Sequence, residues 1–387
     1  MYYEVEMLEI VETPIDLSLP VGQHPHCLLA QIPDFLRRGD RGYVVPEPEA
    51  QWRRIRSVLD LVAEGNGSFR KLHFLVFPEG CLPLAHLDDM LAAIDTRLGA
   101  STVTMFGMEH VPLSTYRALL ARFASDNARA RELVEKDVAD GAAEDAMPVN
   151  LSCVVVKEDG GARRVFLQAK GHPFHGEEYL DRSHDLYRGK HVHYFRGASS
   201  FNFMAVICLD YLYRDLYASN IRRIVDHANQ IYFRTRQSLD ALFVIQCNPK
   251  PEHRAYREVL SGFYGEYLED TPGVRETVTV FGNCSDESRV EGGEGNGLYG
   301  NSSAVIGPRH KLTRVTLPEF STDDFGGAPL CRLRFGTATR LYYFNLPLHH
   351  ELDPRSSRVP LKVHGIYCPA PEGRWRKLTG DELVQGP

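Results

Sequence analysis

The chain has 387 residues, 43% of them hydrophobic and 25% charged, with a formal net charge of −7. That composition is ordinary for a globular protein, and the net acidity gives no general attraction to nucleic acid or to an anionic membrane. No apolar run reaches the roughly 18 residues that a spanning helix needs.

The opening residues, Met-Tyr-Tyr-Glu-Val-Glu, carry acid where a secretory signal would carry base, so a cytoplasmic location is expected. Residues 1–24 read as an N-terminal extension before the first core strand, CLLAQI at 27–32. Further strands are expected at 72–77, 102–107, 151–157, 163–169, 203–208, 241–247 and 277–282. Several are unbroken apolar runs, the pattern of strands buried on both faces. Helices are expected between them. Residues 51–64 place Trp52, Ile55, Leu59 and Val62 on one face, and 84–98 do the same with Leu84, Leu87, Leu91 and Ile94. Ser114 reads as the N-cap of a helix with a charged continuation to about 139, and 252–268 put Tyr256, Leu260, Phe263 and Tyr267 on a stripe. Residues 139–149, 285–300 and 318–328 read as loops, the second rich in glycine and acid. Such alternation predicts an α/β fold with helices covering sheet.

Eight cysteines are spread through the chain without a CxxC pair, so neither a zinc framework nor a disulfide scaffold is expected. In a reducing compartment most would be small buried hydrophobes.

Three strand ends carry residues out of keeping with their apolar approach. Phe77-Pro78-Glu79-Gly80 closes LHFLV. Glu79 there either begins a solvent turn or is a carboxylate held at the carboxyl end of a buried strand, where open α/β sheets place their sites. Lys170 ends VFLQA and is either an edge lysine that deters aggregation or a buried cation beside carboxylates. Cys208 ends FMAVI before a polar segment that opens a helix. It is either a structural cysteine or a nucleophile, its thiol pKa expected to be lowered by the helix N-terminus.

Taken in order, FPEG, the strand-end lysine with Pro-Phe and Glu downstream, and V-I-C-x-D resemble the nitrilase superfamily of carbon–nitrogen hydrolases. Gln31, DALFVIQCN, Asn283 and the Gly297–Pro308 segment extend the resemblance over roughly residues 25 to 350. The resemblance implies a four-layer αββα sandwich and one catalytic domain over 25–387, with insertions near 124–146 and 218–238. It implies a Glu79-Lys170-Cys208 triad that hydrolyses an amide, carbamoyl or nitrile through a Cys thioester. The backbone N–H of Leu209 and Lys170 would stabilise the oxyanion, and a second glutamate would position the substrate. Glu178 fits that role by spacing better than Glu177. No cofactor and no metal are expected, and relatives suggest a homodimer. The insertions suggest a possible protein partner.

The family's arginine two residues after the Asp of C-x-D is replaced by Leu212, with Arg214 two places further on. His191-Val-His193, His349-His350-Glu351 and His172/His175 are short histidine clusters, each without a clear third metal ligand. Two other functions fit the same scaffold: a binding or regulatory module with little turnover, and an acyltransferase that passes the acyl group to an amine.

Overall fold

The computed structural model describes residues 8–19, 24–65, 69, 72–173, 177, 185–199, 201–214, 219–267, 271–292, 299–307, 316–324, 331–347 and 361–385. Within them two large sheets lie face to face. The first has eight strands in the order Arg163–Ala169, Leu151–Lys157, Thr102–Gly107, Leu72–Val76, His26–Gln31, Arg340–Asn345, Val363–Ala370 and Arg374–Lys377. The second has nine, running from Glu9–Ile15 through His191–Gly197, Asn202–Ile207, Ala241–Gln246, Val278–Asn283, Ser303–Ile306, Cys331–Phe335 and Phe320–Asp324 to Thr316–Leu317.

Alternation along each strand builds the layers, because successive side chains point to opposite faces. In His26–Gln31, Cys27 and Leu29 enter the layer between the sheets with Phe74, Phe203 and Phe243. Leu28 and Ala30 face the other way, against Trp52, Ile55, Leu91 and Ile94 of the helices Pro48–Glu64 and Leu87–Arg97. On the second sheet Val206 and Val244 face outward onto Ile221, Ile224 and Val225 of Asn220–Thr235. The order is helix, sheet, sheet, helix: the four-layer sandwich expected from the sequence.

The stretch before the first core strand contributes an edge strand, Glu9–Ile15, paired in parallel with His191–Gly197. The charged stretch near 124–146 holds the helix Ala128–Ala139, and 218–238 hold Asn220–Thr235, so both supply outer-layer helices. Several local expectations fail. The helix expected to be capped by Ser114 begins at Leu113, and the Ser114 N–H donates instead to Glu144 O at 3.0 Å. Within 318–328, read as loop, residues 320–324 pair with Cys331–Phe335, an example of tertiary pairing overriding propensity. Within 285–300, Arg289 and Val290 pair with Phe35 and Leu36. Among the described residues no helix is long and apolar enough to cross a membrane.

Candidate functional site

Strand direction brings the three strand ends to one rim. Leu72–Val76 and Thr102–Gly107 are parallel, and Arg163–Ala169 reaches the same direction through two antiparallel pairings. In the facing sheet Asn202–Ile207, Ala241–Gln246 and Val278–Asn283 are parallel. Glu79, Lys170, Cys208 and Cys247 therefore all sit just past strand C-termini.

Glu79 is held by its backbone. The chain turns at Pro78-Glu79-Gly80, where Gly80 has a φ of +77°, open to glycine at little cost. The turn lies against the neighbouring strand: Gly107 N–H donates to Pro78 O at 2.9 Å, and a Cβ on Gly107 would stand 2.4 Å from Glu79 Cα. TMFG ends in glycine because the Glu79 backbone occupies the place of a side chain. Glu79 is 5% exposed. Its Oε1 accepts from Lys170 Nζ at 2.9 Å and Asn150 Nδ2 at 2.8 Å, and its Oε2 accepts the Cys247 N–H at 3.0 Å.

Lys170 is fully buried and also donates to Glu177 Oε2 at 2.7 Å. Burial alone would lower a lysine's pKa, but Glu177 and Glu79 outweigh it and hold the ammonium well above its ordinary range. For Glu177 burial pushes upward, while Lys170 and His110, whose Nε2 is 3.3 Å from Oε1, bring the carboxyl down to about 2. Asn150 Nδ2 bridges the two carboxylates, donating to Glu177 Oε1 at 2.5 Å as well. Sequence spacing favours Glu178 for the second glutamate; Glu178 lies outside the described residues, and the carboxylate placed on Lys170 is Glu177.

Cys208 follows the last residue of Asn202–Ile207, its N–H donating to Ile245 O at 2.8 Å. Its φ of +41° and ψ of −102° are strained for a residue with a Cβ, a conformation that persists only where its surroundings over-determine it. Sγ lies 3.1 Å from Tyr256 Oη. The thiol pKa is raised: burial dominates, Glu79 adds to it, and Lys170 and the Tyr256 hydroxyl oppose it. This corrects the expectation of a lowered value. The helix behind Cys208, Leu209–Leu212, has four residues and too few aligned peptide dipoles to outweigh desolvation.

Asp210, two residues on, ties the two sheets together. It accepts the N–H of Gly171 at 3.0 Å, and the N–H and Nδ1 of His172 at 2.8 and 3.0 Å. Tyr213 stacks on the His172 ring at 3.7 Å, and Asn220 Nδ2 donates to Asp210 O at 2.8 Å. The Gly171 and His172 donors meet the charge of the Asp210 carboxylate without an arginine at position 212, and Arg214 is exposed.

Glu79, Glu177, Cys208, Leu209 and Tyr256 line one cavity of about 320 Å³, with Lys170 directly behind the two carboxylates. Leu36, Tyr43, Val290 and Tyr299 form its apolar walls. Sequence reading missed Asn150, His110 and Tyr256 as site residues. Tyr256 sits on the apolar stripe of its helix, Arg254–Gly262, where its pattern matches a core position. Nothing local sets Asn150 apart at the start of LSCVVVK. Gln31 and Asn283 act as clasps: Gln31 Nε2 donates to Gly336 O and Ala338 O, and Asn283 Nδ2 to Asn248 O and Gly300 O. His191 and His193 are buried, and burial lowers both pKa values, that of His191 to about 4. His175 and the cluster at 349–351 lie outside the described residues.

No protein-family model and no curated protein matches the chain. Among solved structures it is similar to a CN-hydrolase superfamily protein from Xanthomonas campestris with an arsenic adduct in its active site. That match has 12% identity and a TM-score of 0.45, over 84% of this chain and 91% of that one. It is also similar to Saccharomyces cerevisiae Nit3, of branch 10 of the nitrilase superfamily (11% identity, TM-score 0.46, 85% and 92% covered). A third is an amidase of the nitrilase superfamily from Nesterenkonia (10% identity, TM-score 0.41, 82% and 92% covered). At such distances these likenesses carry neither fold nor chemistry. The chain's own sheets and side chains define an αββα protein with a thiol, an ammonium and two carboxylates at one rim.

Proposed function

We propose that the chain is a nitrilase-type carbon–nitrogen hydrolase that cleaves a non-peptide amide, carbamoyl or nitrile through a thioester on Cys208. The observation that carries this reading is the strained Cys208 turn opening on the same cavity as Glu79, whose carboxylate is anchored by Lys170. A resting thiol that is neutral needs a base at the moment of attack, and Glu79 takes its proton as Sγ bonds to the substrate carbon. The Leu209 N–H and the positive charge of Lys170 stabilise the oxyanion of the tetrahedral intermediate. Glu79 returns the proton to the departing ammonia or amine; a nitrile first forms a thioimidate, and ammonia leaves only after one water has added to it to give the same thioester. Glu79 then draws a proton from the water that hydrolyses the thioester, releasing a carboxylic acid. Glu177, gripped by Lys170, Asn150 and His110, fixes the ammonium and keeps a second carboxylate on the cavity wall to orient the substrate nitrogen. Walls of Leu36, Tyr43, Val290 and Tyr299 suit an acyl group with an apolar or aromatic body.

Release of ammonia from a panel of aliphatic and aryl amides and nitriles tests the reading. Wild-type turnover of at least one member, abolished in Cys208→Ala and Glu79→Gln, is the expected result. Equal rates in wild type and Cys208→Ala would refute it.

A further inference from the structure

A second polar cluster lies beside the cavity and takes no part in the reaction proposed above. Ala241–Gln246 and Val278–Asn283 run parallel with Gln246 opposite Asn283, so Cys247 and Cys284 leave the sheet side by side. Their sulfurs are 3.5 Å apart. Asp34, beyond the end of His26–Gln31, brings a carboxylate oxygen to the pair, and the three ligand atoms all lie within 4.8 Å of one another. Asp34 is fully buried. Its Oδ1 accepts from Gln51 Nε2 at 3.3 Å, while its Oδ2 has no hydrogen-bond partner among the described residues. An orphaned carboxylate oxygen in a dry interior is costly unless a cation or a proton meets it.

We propose that Asp34, Cys247 and Cys284 form a binding site for a thiophilic divalent cation of the zinc type, with its fourth position open to the cavity. The geometry is close to what such an ion requires. With metal–sulfur bonds of about 2.3 Å, two sulfurs on a tetrahedral ion stand about 3.8 Å apart, a few tenths of an ångström beyond the present separation. A sulfur and a carboxylate oxygen on the same ion stand about 3.5 Å apart, so from a separation within 4.8 Å Asp34 need move in by at most about 1.3 Å. Cys284 is buried, but Cys247 lines the cavity, which gives the ion an entry path and room for a water or a substrate atom as fourth ligand. Each thiol gives its proton to solvent as its sulfur–metal bond forms, and Asp34 binds as the carboxylate. Two thiolates and one carboxylate around a divalent ion leave the loaded site with one net negative charge. Because the Cys247 N–H holds Glu79, occupancy reaches the candidate catalytic carboxylate through one residue.

The test is independent of any turnover. The full chain, reduced and freed of metal, is titrated with Co²⁺ and then Zn²⁺, followed by calorimetry and by the thiolate-to-cobalt absorption band. One Co²⁺ per chain with that band, displaced by Zn²⁺, is expected for wild type and for Cys208→Ala. Cys284→Ser and Asp34→Asn should each weaken binding by at least the roughly 100-fold that loss of even an outer-shell partner reaches. Folding of both variants is checked by circular dichroism, and Asp34→Asn, nearly isosteric, removes the charge without opening a cavity. Absence of binding by wild type would overturn the site. So would a band that survives Cys284→Ser, or one that is lost in Cys208→Ala.

Discussion

Asp210 Oδ1 accepts the backbone N–H of His172 at 2.8 Å, so the residue two beyond Cys208 grips the residue two beyond Lys170. Thiol and ammonium come from facing sheets, whose packing is fixed by non-directional apolar contacts. The hydrogen bonds of Asp210 supply the directional link between their ends.

Asp210→Ala should therefore leave the N–H groups of Gly171 and His172 buried without an acceptor. A loss of about 3 kcal/mol in urea denaturation is expected. Turnover should fall through kcat more than KM, because the variant disturbs positioning and leaves the cavity walls intact. An unchanged denaturation midpoint would show the link to be dispensable.

Lys170→Met removes an ammonium bonded to both Glu79 and Glu177. Breaking a buried pair on one side costs about 3–5 kcal/mol, so this variant should be markedly unstable. Adding Glu177→Gln relieves the repulsion between the carboxylates and should recover much of the stability. Turnover should stay lost. A double variant no more stable than the single one contradicts this.

Tyr256→Phe deletes the hydroxyl 3.1 Å from Cys208 Sγ, a contact that lowers the thiol pKa against burial. The pH midpoint for alkylation of Cys208 by iodoacetamide should move upward, with the fold unchanged. kcat/KM should drop by about tenfold, the equivalent of one hydrogen bond of roughly 1.4 kcal/mol. A midpoint that stays in place assigns Tyr256 to packing alone.

His191 is kept neutral by burial, its pKa lowered from 6.5 to about 4. Below pH 6.5 the unfolded chain takes up a proton that the folded chain refuses until about pH 4. The stability this group supplies is thus fully present above 6.5 and is lost as pH falls toward 4, by about 3 kcal/mol. His191→Asn should flatten that limb of the stability–pH curve relative to wild type. Parallel curves would contradict the assignment.

The strands that build the two sheets were legible because their apolar runs are short, unbroken and bounded by turn residues, as in LHFLV before Pro78-Glu79-Gly80. Charged or catalytic residue types abruptly ending such runs made Glu79, Lys170 and Cys208 stand out. What stayed hidden depends on distance in sequence. Glu9–Ile15 becomes a strand only by pairing with His191–Gly197, and Asn150 matters only because it meets Glu79 and Glu177 in space. The direction of the Cys208 pKa shift was misjudged because sequence shows a helix start and not its length. The helix stops after four residues, and burial decides the sign.

The most direct measurement is intact-protein mass followed by peptide mapping after brief mixing with an activated aryl ester or amide, quenched in acid. The proposed chemistry calls for one acyl group per chain, located on the peptide that carries Cys208 and absent from Cys208→Ala. An acyl group mapped to another residue, or hydrolysis undiminished in Cys208→Ala, would contradict it.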